Sequence, residues 1–195
     1  MVMMILAAAP AVAAGQPAST DAIDEHRGVV VAEIGYARTW DDEGLLGTGT
    51  TFMAGVGYRT GYRWTVRAMV SRVPYSVSHE TLTIDGRLVF AGIEAVMQSR
   101  RSTVRPFWSI GGGLFNDDSV WIYRTPPNPV IPSREDRIEH HYHLLAMTTA
   151  GGLDIPVSSR ASILVSGRFY GVPRPTHDLA PVLIIQPAIG MAWRW

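Results

Sequence analysis

The carboxy-terminal stretch Pro187-Ala188-Ile189-Gly190-Met191-Ala192-Trp193-Arg194-Trp195 places Ile189, Met191, Trp193 and Trp195 on one parity and small or charged residues on the other. Successive side chains of a strand point to opposite faces, so this segment has one apolar and one polar face. Such an apolar face must meet a protein core or lipid. Aromatic residues crowded at its end favour lipid, because Trp and Tyr collect where hydrocarbon meets water.

The same alternation recurs upstream. From Gly28 to Arg38, Val30, Ala32, Ile34 and Tyr36 share one parity and Glu33 sits on the other. Thr50 to Arg59 sets Phe52, Ala54, Val56 and Tyr58 against Met53, Gly55, Gly57 and Arg59. The clearest case is Tyr62, Trp64, Val66, Ala68 and Val70, alternating with Arg63, Thr65, Arg67, Met69 and Ser71 in a pattern no helix produces. Arg87 to Gln98 opposes Val89, Ala91, Ile93, Ala95 and Met97 to Leu88, Phe90, Gly92, Glu94, Val96 and Gln98, a second face that is itself unusually apolar. Val104 to Leu114, about His143 to Ile155, Arg160 to Tyr170 and about Pro181 to Trp195 complete a set of eight. In these, Trp108, Leu145, Phe169 and Trp193 lie opposite Arg105, Asp154, Arg168 and Arg194. Each segment is near the ~9–11 residues a tilted strand needs to cross a bilayer.

Connection length gives a second, independent period. Thr60-Gly61, Ser99 to Thr103 and Pro156 to Ser159 are short, whereas Thr39 to Gly49, Arg72 to Gly86, Asn116 to Tyr142 and Gly171 to Ala180 are long. Short turns on the periplasmic side and long loops outside are the habit of even-stranded outer-membrane barrels. The expected fold is all-β, an eight-stranded antiparallel up-and-down transmembrane β-barrel with both termini in the periplasm. On this alternation, this loop asymmetry and the ending Met191-Ala192-Trp193-Arg194-Trp195, residues 28–195 resemble the small outer-membrane barrels of the OmpA and OmpX type. The resemblance implies the outer membrane of a diderm bacterium as location and outer-membrane lipid as surroundings. It also implies that the barrel-insertion machinery reads the carboxy-terminal strand, with Trp195 where Phe is commoner.

Composition narrows the remaining classes. The formal net charge is +0, so nothing favours nucleic acid, whose phosphates require a concentrated basic surface. All 17 basic residues are Arg, and there is no Cys, which removes disulfides and cysteine-based zinc sites. Residues 1–14 form a short apolar run ending in small residues and read as a secretory signal cleaved after Ala13 or Ala14. Residues 15–27 are a polar, turn-rich periplasmic lead-in, and no later segment reaches the ~18 apolar residues of a helical span.

An eight-stranded barrel is just wide enough to be filled by side chains. The polar parity supplies Arg63, Arg67, Arg105, Arg168 and Arg194, facing Glu33, Glu94 and Asp154. Charges removed from bulk water need partners, so an internal Arg-carboxylate network is expected. If Arg72 and Arg87 flank the tops of the third and fourth strands, Glu94 falls opposite Thr65 and diagonal to Arg63 and Arg67, and similar counting puts Arg105 beside Asp154. Tyr36, Tyr58, Tyr62, Trp64, Trp193 and Trp195 are the expected aromatic girdle. Pro106 and Pro187 interrupt this reading, since each removes a ladder hydrogen bond: Pro106 fits a strand start, Pro187 a bulge or a delayed start of pairing.

The segment 116–142 mixes Trp121 and Tyr123, a Pro126-Pro127-Asn128-Pro129 run and alternating charges, and is the expected contact region for an extracellular ligand. His141 and His143 share a strand face, but no third ligand accompanies them, so no metal site is assigned and no cofactor is expected. Enzymatic barrels fit poorly. The outer-membrane lipid A deacylases use a His and a Ser two apart on one strand, whereas here Ser78 and His79 are adjacent and His141-Tyr142-His143 has no Ser. The expectation is a non-enzymatic structural or surface-interaction barrel. A narrow porin-like channel for small solutes is the alternative, and a soluble lipocalin-like ligand-binding barrel, with its apolar parity turned inward, is a further one.

Overall fold

The computed structural model describes residues 26–40, 45–78, 81–99, 103–124, 135–172 and 183–195. The signal segment 1–14 and the lead-in before His26 lie outside the described residues. Eight strands follow in chain order: β1 (Gly28–Trp40), β2 (Leu45–Arg59), β3 (Trp64–Ser78), β4 (Leu82–Gln98), β5 (Arg105–Arg124), β6 (Glu135–Pro156), β7 (Ala161–Gly171) and β8 (Leu183–Arg194). Each pairs antiparallel with the next, and β8 pairs with β1, so the sheet is a closed barrel.

The register fixes the shape of that barrel. Following paired residues from Gly28 through Tyr58, Val66, Ala95, Ile110, Thr149, Phe169 and Ile185 returns the path to Arg38, ten residues further along β1. With a rise of ~3.3 Å per residue and a strand spacing of ~4.8 Å, that shear tilts the strands by about 40°.

Parity decides what faces where. Val30, Ile34, Phe52, Trp64, Ile93, Met191 and Trp193 are exposed, while Glu33, Arg67, Glu94, Arg105, Asp154 and Arg168 are buried. That is the reverse of a lipocalin, so the soluble-barrel alternative is overturned. Above the apolar stretch three walls turn polar at once: β1 reaches Arg38 after Tyr36, β3 reaches Arg72 after Val70, and β5 reaches Asn116 after Leu114. From Val104, just before β5, to Leu114 the wall is apolar outward over about 25 Å along the axis at this tilt, the height of the apolar band of such barrels.

Strand lengths depart from the sequence reading at the upper end. Arg72 to Gly86 is mostly strand, since β3 runs to Ser78 and β4 starts at Leu82. Likewise Asn116 to Tyr142 is mostly ladder, because β5 and β6 stay paired as far as Arg124 and Glu135. Only 125–134 connects them, and that piece lies outside the described residues, as does His79. Tyr62 and Arg63, by contrast, belong to the turn before β3, not to the strand.

The prolines find physical excuses. Pro106 is the second residue of β5 and pairs with Leu153 of β6, below the last β4 partner, Phe107. Pro187 lies inside β8, where the β7 ladder continues through Gly167 but the β1 ladder is interrupted between Ala188 and Ile185. The register is the same on both sides of that interruption, so Pro187 costs a local hydrogen bond and makes no bulge.

Closure of every edge predicts a readily measured behaviour. In electrophoresis with dodecyl sulfate, the unheated protein is expected to migrate as a compact species and to shift to the unfolded position on boiling; identical migration in both samples would contradict a closed barrel.

Candidate functional site

The interior is the candidate site, and it is layered. At the end of the barrel that carries Gly28 and Trp195, Arg194 reaches from β8 to Asp154 of β6, and its second terminal nitrogen donates to Ser162 Oγ at 3.0 Å. Gln98 of β4 donates to the same Asp154 carboxylate. Arg105 is buried in this layer and is the register partner of Asp154. These groups, with Arg27, Arg59 and Arg67, line a cavity of about 70 Å³.

One level up, Glu94 is shared by opposite walls. Arg67 pairs with it from β3, and Arg168 Nη1 donates to its Oε2 from β7 at 2.6 Å. Ser109 Oγ donates to the same oxygen at 3.0 Å, and Arg168 also donates to Thr148 Oγ1 at 3.2 Å. Nearby, Ser166 Oγ donates to Glu33 Oε2 at 2.8 Å. Gly111 faces this layer, where an added Cβ would stand 2.7 Å from the Glu94 Cα and Cβ, so backbone and carboxylate approach closely only without a side chain. Among the described residues, Glu33 Oε1 and the Nε and Nη2 of Arg168 are buried with no direct hydrogen-bond partner. This half of the interior is therefore polar, filled by paired charges and hydroxyls.

Above it the interior becomes apolar. Phe90, Phe115 and Tyr170 meet with ring centroids 5.1–5.3 Å apart. Leu88, Leu144, Val73 and Ile184 are buried in the same cluster. Edge-on aromatic pairs add about 0.5–1.5 kcal/mol each beyond their burial. The inward parity of Phe90 was visible in the sequence, whereas Phe115 and Tyr170 stand at or just past the expected strand ends.

The uppermost layer lies beyond the apolar belt. Tyr75 of β3 extends over Gly86, where an added Cβ would sit 2.1 Å from its ring, and donates to Asp117 of β5 at 2.9 Å. Burial pushes the Asp117 carboxyl up to about 6, and burial likewise raises the Tyr75 hydroxyl well above its usual range. On the outer wall at this height, Arg87 pairs with Asp118 at 2.8 Å, and His141 Nδ1 approaches the other Asp118 oxygen at 2.8 Å. The arginine and the histidine hold the exposed Asp118 carboxyl below the usual range.

Several expected placements change. Arg63 is exposed at the β2–β3 turn, with its guanidinium 5.9 Å from the Tyr62 ring, because β3 begins only at Trp64. Glu94 pairs with Arg67 and not with Thr65, a register two residues away from the one counted by taking Arg72 and Arg87 as strand ends. Arg168, which meets Glu94 across the lumen, and Arg194, which meets Asp154 past β7, could not be counted from neighbouring strands. Tyr58, Tyr62, Trp64, Trp193 and Trp195 are exposed around the edge that carries Gly28 and Trp195, and Trp108 joins them; Tyr36 is exposed at the opposite edge. His143 Nδ1 lies 2.7 Å from Asn116 Oδ1, and among the described residues no group of three metal-type ligands occurs.

No protein-family model and no characterised protein sequence matches the chain. Solved structures do. Neisserial surface protein A is 14% identical, with 86% of this chain and 97% of that one covered at a TM-score of 0.61. Ail, the attachment invasion locus protein of Yersinia pestis, in complex with the heparin analogue sucrose octasulfate, is 15% identical over 87% of this chain and 99% of its own, with a TM-score of 0.54. The outer membrane protein OprG from Pseudomonas aeruginosa is 11% identical over 87% and 97%, with a TM-score of 0.51. The chain thus has the fold of the eight-stranded outer-membrane β-barrels, with an outer wall made for lipid.

Proposed function

We propose that this integral outer-membrane barrel is a sealed, non-enzymatic component of the envelope that offers its strand-built outer rim for surface contacts. The aromatic layer of Phe90, Phe115 and Tyr170 carries the reading. It crosses the lumen above the Arg67–Glu94–Arg168 cluster, so a solute would have to displace buried rings as well as break paired charges. The Arg-carboxylate pairs act as a polar filling that sets register and satisfies charge, and the exposed aromatics at the two edges hold the barrel at the depth of the bilayer. Met191 and Trp193 keep their outward parity on β8, and Trp195 is exposed just past it, the pattern the insertion machinery would engage.

The rim consists of the paired upper halves of β5 and β6, within the 116–142 region. Its outer face alternates sign, as in Arg87–Asp118–His141 and Arg124–Glu135. That mixture suits a protein or zwitterionic partner better than a polysulfate such as the heparin analogue seen with Ail. Among the described residues, His140, His141 and His143 bond to Tyr142, Asp118 and Asn116, and none bonds to a serine or threonine that it would activate.

Recording in planar bilayers tests the seal against the narrow-channel alternative. The wild type is expected to give no stable conductance steps, and simultaneous replacement of Phe90, Phe115 and Tyr170 by Ala is expected to produce them. Stable steps from the wild type would overturn the proposal.

A further inference from the structure

The outer wall carries two adjoining hollows that share one arginine. The lower hollow, about 600 Å³, lies on β8, β1, β2 and β3. Its origin is in the register: Met191, Ala32, Ala54 and Val70 form one outward row, so two alanines sit side by side between larger neighbours. The next outward row is Ile189, Ile34, Phe52 and Arg72, so the hollow is walled by apolar side chains and ends at a guanidinium. Arg72 is the first charged outward residue of β3, directly above the apolar belt. The upper hollow, about 450 Å³, begins at that same Arg72 and continues past Pro74 to Arg87, beside its register and ion-pair partner Asp118, with Asp85 one outward row further on.

The order of these groups has a chemical meaning. Moving away from the membrane centre, a ligand meets a small-residue trough, then Arg72, then Arg87 with its partner Asp118, then Asp85. An acyl chain fits the trough, a phosphate fits the arginines, and sugar hydroxyls fit the exposed Asp85 carboxylate as donors. Arg72 forms no ion pair among the described residues, while Arg87 is only half engaged by Asp118, with both side chains partly exposed. An exposed, uncompensated cation at the hydrocarbon edge gains most from an anionic headgroup, since attraction to charged lipid is worth about 1 kcal/mol per Arg near the surface.

We propose that this wall is a specific site for a phosphorylated acyl glycolipid of the outer leaflet, the lipid A part of lipopolysaccharide, with one chain over Ala32 and Ala54 and a phosphate held by Arg72 and Arg87. The assignment rests on the reading as an outer-membrane barrel. It predicts a stoichiometric lipid, distinct from the annulus that any barrel gathers.

Native mass spectrometry of the full chain in detergent, titrated with bisphosphorylated lipid A, tests it. The wild type is expected to retain one lipid, and Arg72→Gln to weaken retention about tenfold. Ala54→Trp, which fills the trough without touching charge, should weaken it comparably, as should lipid A stripped of its phosphates. Equal retention by the wild type and either variant, or equal retention of the lipid without phosphates, overturns the site. Both substitutions point outward, and the shift of each variant on boiling verifies the barrel separately, so failure of the lipid site and failure of the fold reading give different results.

Discussion

Replacing Glu94 with alanine is expected to destabilise the barrel by about 3–5 kcal/mol, the usual cost of removing one partner from a buried charge pair. The carboxylate receives Arg67, Arg168 and Ser109 at once, and its side chain is 0% exposed. Its loss leaves two guanidinium groups facing each other in the interior, uncompensated and mutually repulsive. Glu94→Gln retains an acceptor for one of them and should cost less. Urea unfolding in detergent micelles, followed by tryptophan fluorescence, measures the difference. A triple replacement of Glu94, Arg67 and Arg168 by apolar residues of similar volume should recover much of the loss, because it removes the uncompensated charge along with the pair. Conductance should remain absent throughout, since the aromatic layer is untouched. A loss below about 1 kcal/mol for Glu94→Ala would mean that water already solvates these charges.

The fold was legible because two signals of different origin agreed. Period-two alternation placed Glu33, Arg67 and Glu94 on one side of the wall and Val30, Val66 and Ile93 on the other, and loop asymmetry supplied strand count and orientation. Alternation even survived on β4, where Leu88 and Phe90 blur the contrast: both are buried in the aromatic layer, which a sequence cannot distinguish from a lipid face. What misled was local composition near the rim. Pro74 and its serine neighbours look like loop, yet Pro74 lies in β3 opposite Arg87, at a height where the β2 ladder has already ended at Phe52 and Arg72. With no partner to lose on that side, proline is tolerated there as on an edge strand. The turn is consequently shorter than it looks, and the β3–β4 register moves by two residues. That shift turns a diagonal Arg67–Glu94 relation into a direct one. The contacts of Arg168 and Arg194 were out of reach for a different reason: Arg168 crosses the lumen to β4 and Arg194 reaches past β7 to β6, and such partners follow from barrel radius and side-chain length, which no pairing rule between adjacent strands contains.

Asp117 is expected to make the outer rim more stable in mild acid than at neutral pH. Asp117 is 1% exposed, with Tyr75 as a neutral donor and, among the described residues, no cation bonded to it. Burial raises its pKa from 3.8 to about 6, with the neighbouring Asp118 adding to the rise and the Tyr75 hydrogen bond opposing it. The folded state therefore holds a proton between about pH 4 and pH 6 that the unfolded chain has released, and stability falls as pH rises through that window. Roughly two units correspond to about 3 kcal/mol, present below pH 4 and lost above pH 6. The other polar groups packed around the pair are Tyr142, the register partner of Asp117, His140 bonded to Tyr142, and Ser119. None of them supplies a fixed positive charge to hold the carboxylate. Asp117→Asn preserves an acceptor for Tyr75 and abolishes the ionisation, so it should match the wild type at pH 4 and exceed it by about 2–3 kcal/mol at pH 8. Hydrogen exchange of the upper halves of β3 to β6, compared at the two pH values after correction for intrinsic rates, localises the effect. Equal pH dependence in the wild type and the variant would show that Asp117 ionises freely in the folded rim, and would remove the buried Tyr75–Asp117 pair as the reason this rim holds together.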